Sequence, residues 1–325
     1  MNAVPERRTS RTLATLSALA GLATGTDVWA QSPTPQAPPP AFALSAPDLF
    51  VSSDSEGFTA RKLGASLYPW YAHGDRHTGL QVQHNTYSRA GWRMQGESVS
   101  VVHRAVDPRT AMGYQVRAGI DRINGRDLLT LDGSHSVALT AQTTAEFVIN
   151  RDRVETQDGL QDGLHLTSAG AGLWQQVNDR LNVGGLVQVM RFSDSNTRHH
   201  VRLRLVYDLL PEHGVTLQLR YRGYRASNTE VPRRYFNPAE FEEGMVAVGV
   251  RRRIAGWVVA GTLGVGRQQV AQDTPTPTQL AQLSVTSPLA GPVFWRARLG
   301  YSRSSGLQGP DYRYRYVTQE LFVPF

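Results

Sequence analysis

Four arginine pairs carry the most suggestive chemistry in this chain: Arg202 with Arg204, Arg220 with Arg222, Arg296 with Arg298, and Arg313 with Arg315, with Arg117 standing alone. One residue separates the members of each pair, the spacing that puts two side chains on one face of a β-strand. A guanidinium is a planar fork that matches carboxylates and phosphates. Rows of such forks along a narrow passage with low-dielectric walls would focus a positive field on whatever moves through it. A structural reading competes with this one: the arginines pair with carboxylates on the same polar faces, for which Glu97, Asp121, Glu146 and Asp208 are the candidates, and brace a wall.

Ser193, Asp194, Ser195, Asn196, His199 and His200 form a second cluster. Nucleophilic catalysis needs Ser and His within hydrogen-bond reach, with the base oriented by a third group. All six residues fall in or beside one turn. Asp-x-Asn forms turns because both side chains bond back to the backbone. The cluster reads as a structured turn, so no catalytic residue is assigned and no enzymatic activity is expected. Metal ligation has no better support. His199 and His200 are adjacent and point to opposite faces of a strand, His73, His77 and His84 share no ligand spacing, and Glu240, Glu242 and Glu243 read as a solvated charge run. No phosphate-binding glycine fingerprint occurs, so the chain is expected to use no cofactor and no metal.

The elements that would position these residues can be read from the pattern. The 325-residue chain has no cysteine, which excludes disulfides and thiolate chemistry. Residues 1–30 read as a signal peptide: Arg7, Arg8 and Arg11 precede the apolar run Leu13 to Ala23, and Val28-Trp29-Ala30 offers a cleavage site. The Pro- and Gln-rich segment 31–47 reads as an extended linker. Net charge is +7; Arg7, Arg8 and Arg11 against Glu6 and Asp27 leave +1 in the signal and +6 beyond it. Lys62 is the sole lysine.

From 48 to 325 the chain alternates with period 2. Val201, Leu203, Leu205 and Tyr207 share one face while Arg202, Arg204 and Asp208 share the other, and Leu217, Leu219 and Tyr221 oppose Gln218, Arg220 and Arg222 in the same way. Such faces fit either a soluble sandwich or a membrane barrel. Aromatic edges, strands of about ten residues and alternating short and long turns favour an all-β transmembrane antiparallel barrel of about sixteen strands. An even count puts both chain ends on one side, with 156–165, 226–240 and 271–278 as outer loops. The expected strands run from a short 48–54 through 112–121, 133–141 and 145–155 to 312–325. In the last, Leu321, Val323 and terminal Phe325 face lipid as an assembly signal, and the phase change after Tyr316 suggests a β-bulge.

Two segments carry a resemblance: RRYFNPAEFEEGMVAVGVRRRI (233–254) and RFSDSNTRHHVRLRLVYDL (191–209). A Tyr-Phe-Asn/Ser-Pro element followed by an aromatic, and a Phe/Tyr-Ser-Asp-x-Asn corner before an arginine-bearing strand, make residues 140–325 resemble the barrels of cellulose and poly-N-acetylglucosamine secretion proteins and of YaiO-like outer-membrane proteins. Those exporters carry periplasmic tetratricopeptide repeats ahead of the barrel, and no repeat of roughly 34 residues precedes this one. The resemblance implies a bacterial outer-membrane pore for exopolysaccharide, built by the barrel assembly machinery and surrounded by outer-membrane lipids and lipopolysaccharide, which takes polymer either directly from a periplasmic machine or through a separate periplasmic repeat protein. No nucleic-acid partner is expected. The permeant expected from the arginines is anionic, and Tyr235, Phe236, Asn237 and Pro238 are the candidate gate. A general diffusion porin and an outer-membrane lipid hydrolase of the Ser/His type are the alternatives.

Overall fold

The computed structural model describes residues 41–229, 234–289, 291–306 and 309–325, and these form one closed barrel of sixteen antiparallel strands. The first eight are β1 (Ala41–Asp54), β2 (Thr59–His73), β3 (Arg76–Arg89), β4 (Trp92–Val106), β5 (Gly113–Ile123), β6 (Arg126–Ala138), β7 (Thr143–Arg153) and β8 (His165–Asn178). The second eight are β9 (Leu181–Phe192), β10 (Thr197–Leu210), β11 (Val215–Ala226), β12 (Glu240–Ile254), β13 (Trp257–Val270), β14 (Thr276–Thr286), β15 (Phe294–Gly306) and β16 (Gly309–Pro324). Each strand pairs with its sequence neighbour, and β16 closes on β1 through Leu44 opposite Val323 and Val51 opposite Val317. A short helix, α1 (Gln157–Asp162), lies between β7 and β8.

Closure leaves no sheet edge, which lets a β-structure sit in hydrocarbon. The outer surface shows what surrounds it. Leu63, Leu80, Val99, Ile120, Leu129, Leu173, Val187, Leu203, Val246, Leu263 and Val265 all point outward, and Leu263 keeps 68% of its surface exposed. An apolar band encircling a water-soluble molecule would drive aggregation. Around this barrel it matches the lipid-facing band of outer-membrane proteins. Aromatics gather at the end that holds both Ala41 and Phe325. Phe42 stacks on Phe325 at 6.2 Å, and Trp257 meets Trp295 edge-on at 5.9 Å. That end is periplasmic, and the end with the longest connections, 154–164 and 227–239, is extracellular.

Three sequence expectations change. First, β1 starts at Ala41, so residues 41–47 are strand and not linker; the signal-peptide reading and residues 31–40 of the linker lie outside the described residues. The register slips between Ser45 and Leu49, and this bulge accommodates Pro47, a residue that cannot donate to the ladder. Second, β6 begins at Arg126, not 133, because Asn124 and Gly125 make a two-residue hairpin with positive φ at both positions, 50° and 72°. Third, β15 and β16 pair without a slip from Phe294–Phe322 to Ser304–Tyr312, so there is no bulge after Tyr316. Alternation is therefore continuous along β16. Tyr312 and Tyr314 are buried inside, while Arg313, Arg315, Val317, Leu321, Val323 and Phe325 point outward.

Candidate functional site: the lumen and its outer lid

The inward faces of β10 and β11 bring four arginines together. Arg202 lies opposite Arg222 and Arg204 opposite Arg220, two like-charge pairs directly across one ladder. Such pairs oppose folding, and neighbouring carboxylates partly offset them, Glu146 acting through space on Arg202 and Glu243 on Arg220. Arg222 pairs with Glu243 of β12 at 2.9 Å. Arg204 and Arg220 each donate to the same neutral oxygen, Gln218 Oε1, at 2.7 Å from either Nη2. Arg202 Nε is buried with no hydrogen-bond partner among the described residues. Arg117 faces the lumen beside Gln81, at 3.5 Å. On β15, Arg298 also points inward, as does Arg296, which is committed to Asp75 and Glu320.

Arg313 and Arg315 do not belong to this wall. The expectation that they line the lumen is overturned by the continuous register of β16, which gives the inward positions to Tyr312, Tyr314 and Tyr316. Aromatic side chains also line the lumen. Tyr314 and Tyr316 lie on the lumenal face with ring centroids 6.0 Å apart and planes tilted by 36°, and Phe50, Tyr87, Trp92 and Phe241 are also inside. Glu97 faces outward, whereas Asp121, Glu146 and Asp208 face inward as expected. Sequence reasoning missed Asp48, held by Ser45, by Ser66 at 2.7 Å and by Gln81 at 3.0 Å, and it missed Asp132, Asp152 and Glu320. Counting inward carboxylates strand by strand would have found them. The inward carboxylates of β1, β5, β6 and β7 thus line the same lumen as the basic wall on β10 and β11.

The extracellular mouth is covered by the 154–164 connection and by residues 234–239 of the β11–β12 connection, both folded inward. In the first, Thr156 caps α1 by accepting from Gly159 N at 2.9 Å, and Gly163 ends it at φ 71°. The turn carries Leu160 across the lumen into a cluster with Phe58, Ala60, Tyr87 and Ile123. Glu155 meets Lys62 of β2 in a short ion pair and accepts from Tyr87 Oη at 3.3 Å. The second connection contains the expected gate residues. Tyr235 is 1% exposed, stacks on Phe192 at 4.4 Å, and joins Val154 and Leu164 in a cluster. Its hydroxyl accepts from Asn196 Nδ2 at 2.9 Å and donates to Asp194 Oδ1 at 3.3 Å. Burial raises the pKa of that phenol, so it stays protonated. Asn237 accepts from Asn196 at 2.8 Å. Thr156 Oγ1 donates to Arg234 O at 2.7 Å and Arg234 pairs with Asp162 at 2.6 Å, tying the two connections into one lid.

The periplasmic mouth is partly covered as well. The β2–β3 turn places buried Asp75 between Arg296 of β15, at 2.7 Å, and Arg104 of β4, at 2.9 Å. Burial alone would raise this carboxyl, but the two guanidiniums outweigh burial and hold it below its ordinary range. Tyr68, Tyr71, Phe294 and Phe322 pack beneath the turn, over the β1–β16 seam.

The serine and histidine cluster is dispersed. Ser193 Oγ accepts from His165 N at 3.1 Å, Ser195 holds a left-handed turn position at φ 70°, His199 points outward and His200 inward. Glu240, Glu242 and Glu243 also diverge: Glu240 pairs with exposed Arg225, Glu242 accepts from Tyr221 on the outer face, and Glu243 pairs with Arg222 inside.

Closed barrel, apolar outer band and polar lumen define a bacterial outer-membrane β-barrel. No family model and no curated protein matches the chain. Among solved structures it is similar to a bacterial polysaccharide outer membrane secretin, with a TM-score of 0.63 at 15% identity, covering 88% of this chain and 98% of that one. More distant are OprD of Pseudomonas aeruginosa, with a TM-score of 0.43 at 11% identity over 88% of this chain and 94% of that one, and OccK7 of the same organism, at 0.43 and 8% over 88% and 98%.

Proposed function

We propose that this barrel is an outer-membrane export pore for an acidic polysaccharide. The observation that carries the reading is the set of like-charge pairs Arg202–Arg222 and Arg204–Arg220, which concentrate guanidinium forks on one wall where a passing carboxylate can compete with Gln218 and Glu243. The tyrosines of β16, five strands from β11, offer a second surface on which apolar sugar faces can stack. Weak contacts repeated along a wall suit transport, since a permeant can exchange one for the next. The fold likeness to a polysaccharide secretin agrees with this use. A diffusion porin is the second reading, favoured by the inward-folded 154–164 connection and by the carboxylates that share the lumen with the basic wall. The two differ in the length of chain they pass. In proteoliposomes carrying a lid-released variant, Tyr235→Ala, the export reading expects long oligogalacturonate to enter faster than a neutral oligosaccharide of equal length. Entry of short solutes alone, with no preference for the acidic chain, would establish the porin.

No catalytic role belongs to this reading. Ser193→Ala and Ser195→Ala are expected to leave transport unchanged. Arg313 and Arg315, on the outer surface toward the extracellular end, are suited to lipopolysaccharide phosphates.

A further inference from the structure

The inner face of β10 continues above the arginine pairs to His200 and then Arg198, directly beneath the lid. Both are buried, Arg198 to 6% exposure and His200 to 7%. Arg198 lies against the rings of Tyr224 at 4.5 Å, Phe192 at 5.2 Å and Tyr235 at 5.8 Å. Its Nη2 donates to the backbone oxygen of Phe236 at 2.7 Å and to Asn237 Oδ1 at 3.2 Å, both neutral acceptors on the lid. Its Nε has no hydrogen-bond partner among the described residues, and neither ring nitrogen of His200 has one, although that ring stacks on Tyr224 at 4.7 Å. Asp194, at the edge of the lid, accepts from the Tyr235 hydroxyl and from Asn196 N and attracts Arg198 through space without a direct bond to it among the described residues.

Buried polar groups are almost always satisfied, so three orphaned nitrogens in one column call for an occupant. The geometry of the guanidinium says which kind. Nε and Nη2 form the edge that takes a carboxylate bidentately, as Arg122 does with Asp127 on the outer surface, at 2.6 and 2.8 Å. In Arg198 half of that edge is empty and the other half holds the lid. The bonds to the lid already have an ionised donor, and a carboxylate acceptor adds to them the attraction of a full opposite charge, which a neutral oxygen lacks. An anionic group taking the whole edge would displace the Phe236 carbonyl and the Asn237 amide oxygen and leave the 234–238 element without its anchor.

We infer that Arg198 and His200 form a carboxylate-binding site at the top of the arginine column, and that occupation of this site by the permeant releases the lid. The inference rests on the acidic-polymer reading above and adds a trigger to it. A permeant arriving from the periplasm meets Arg204 and Arg220, then Arg202 and Arg222, then His200 and Arg198, and opens its own exit. An empty pore stays closed.

Because the chain has no cysteine, one thiol can report the lid. Val154, where the first connection of the lid leaves β7, is 2% exposed and packs with Tyr235 of the second. In proteoliposomes holding the full chain with Val154→Cys, labelling by a maleimide should accelerate at least tenfold when oligogalacturonate is added, consistent with loss of a charge-assisted anchor. A neutral oligosaccharide of equal length should not accelerate it. Adding Arg198→Gln should make labelling fast without the oligomer and unresponsive to it. His200→Asn leaves the Arg198 anchor in place, so it should keep basal labelling slow and weaken the response. An unresponsive Val154→Cys protein, an equal response to the neutral chain, or a response that survives Arg198→Gln would each overturn the trigger. Current through the Tyr235→Ala barrel separates this from the underlying reading. Block of that current by oligogalacturonate together with unresponsive labelling would overturn the trigger alone, whereas absence of both would overturn the acidic-polymer reading too.

Discussion

Tyr235→Ala should open the extracellular mouth without unfolding the barrel. The side chain is 1% exposed, stacks face to face on Phe192 at 4.4 Å, and makes two hydrogen bonds through its hydroxyl. Truncating a large buried aromatic costs about 3–5 kcal/mol. Tyr235 lies in a connection and not in a strand, so the loss falls on the local equilibrium between docked and undocked lid. At about 1.4 kcal/mol per factor of ten, even the lower figure multiplies the undocked population roughly a hundredfold. Tyr235→Phe keeps the ring and loses only the hydroxyl, worth about 1 kcal/mol, a roughly fivefold change. Single-channel recording in planar bilayers should show rare openings in the unaltered protein, more in Tyr235→Phe and a standing conductance in Tyr235→Ala. Heat-modifiable gel migration should be the same for all three. Equal conductance in the three proteins would refute the assignment of this element as the closure.

Other perturbations follow from the same geometry. Leu160→Ala removes the other half of the lid from its cluster with Phe58, Tyr87 and Ile123, at about 2–5 kcal/mol, and should raise conductance as Tyr235→Ala does. Leu263→Arg sets a charge on the lipid face at the most exposed position of the outer band and should destabilise the folded barrel by about 2–4 kcal/mol if the site is near the midplane, read by urea unfolding in bilayers. Asp75 carries a folded-state pKa held below its unfolded value, so its stabilising contribution is present above the ordinary carboxylate range and disappears as pH falls through the lowered value. The periplasmic turn should hold from pH 7 down to about 4, a range set by the ordinary Asp pKa, and loosen below it, whereas Asp75→Asn should be weaker at neutral pH and nearly flat with pH, as measured by proteolysis at the turn.

The strands were legible wherever one face was uniformly apolar. Val201, Leu203 and Leu205 leave no choice about which way Arg202 and Arg204 point, and the structure puts them inside. On β16 both faces mix aromatics with arginines, and period 2 alone does not say which face is inner. Phe325 fixes the phase, and carrying it back without a slip would have put the tyrosines inside. The lid was half legible. Its YFNP element drew attention as a candidate gate, but the 154–164 connection did not, although Thr156 and Gly163 are recognisable as helix cap and stop. What no local pattern encodes is that Leu160 crosses the lumen to reach β2, β3 and β5, or that Tyr235 lands on Phe192 and Asn196. Such contacts join residues far apart in sequence and have no period.

The central claim is that the β10–β11 wall makes the lumen a path for anions. Reversal potentials across a planar bilayer containing the Tyr235→Ala barrel, under a potassium chloride gradient, test it most directly. Anion selectivity is expected, and it should fall when Arg202, Arg204, Arg220 and Arg222 are replaced by Gln. Cation selectivity before any arginine is changed would contradict it.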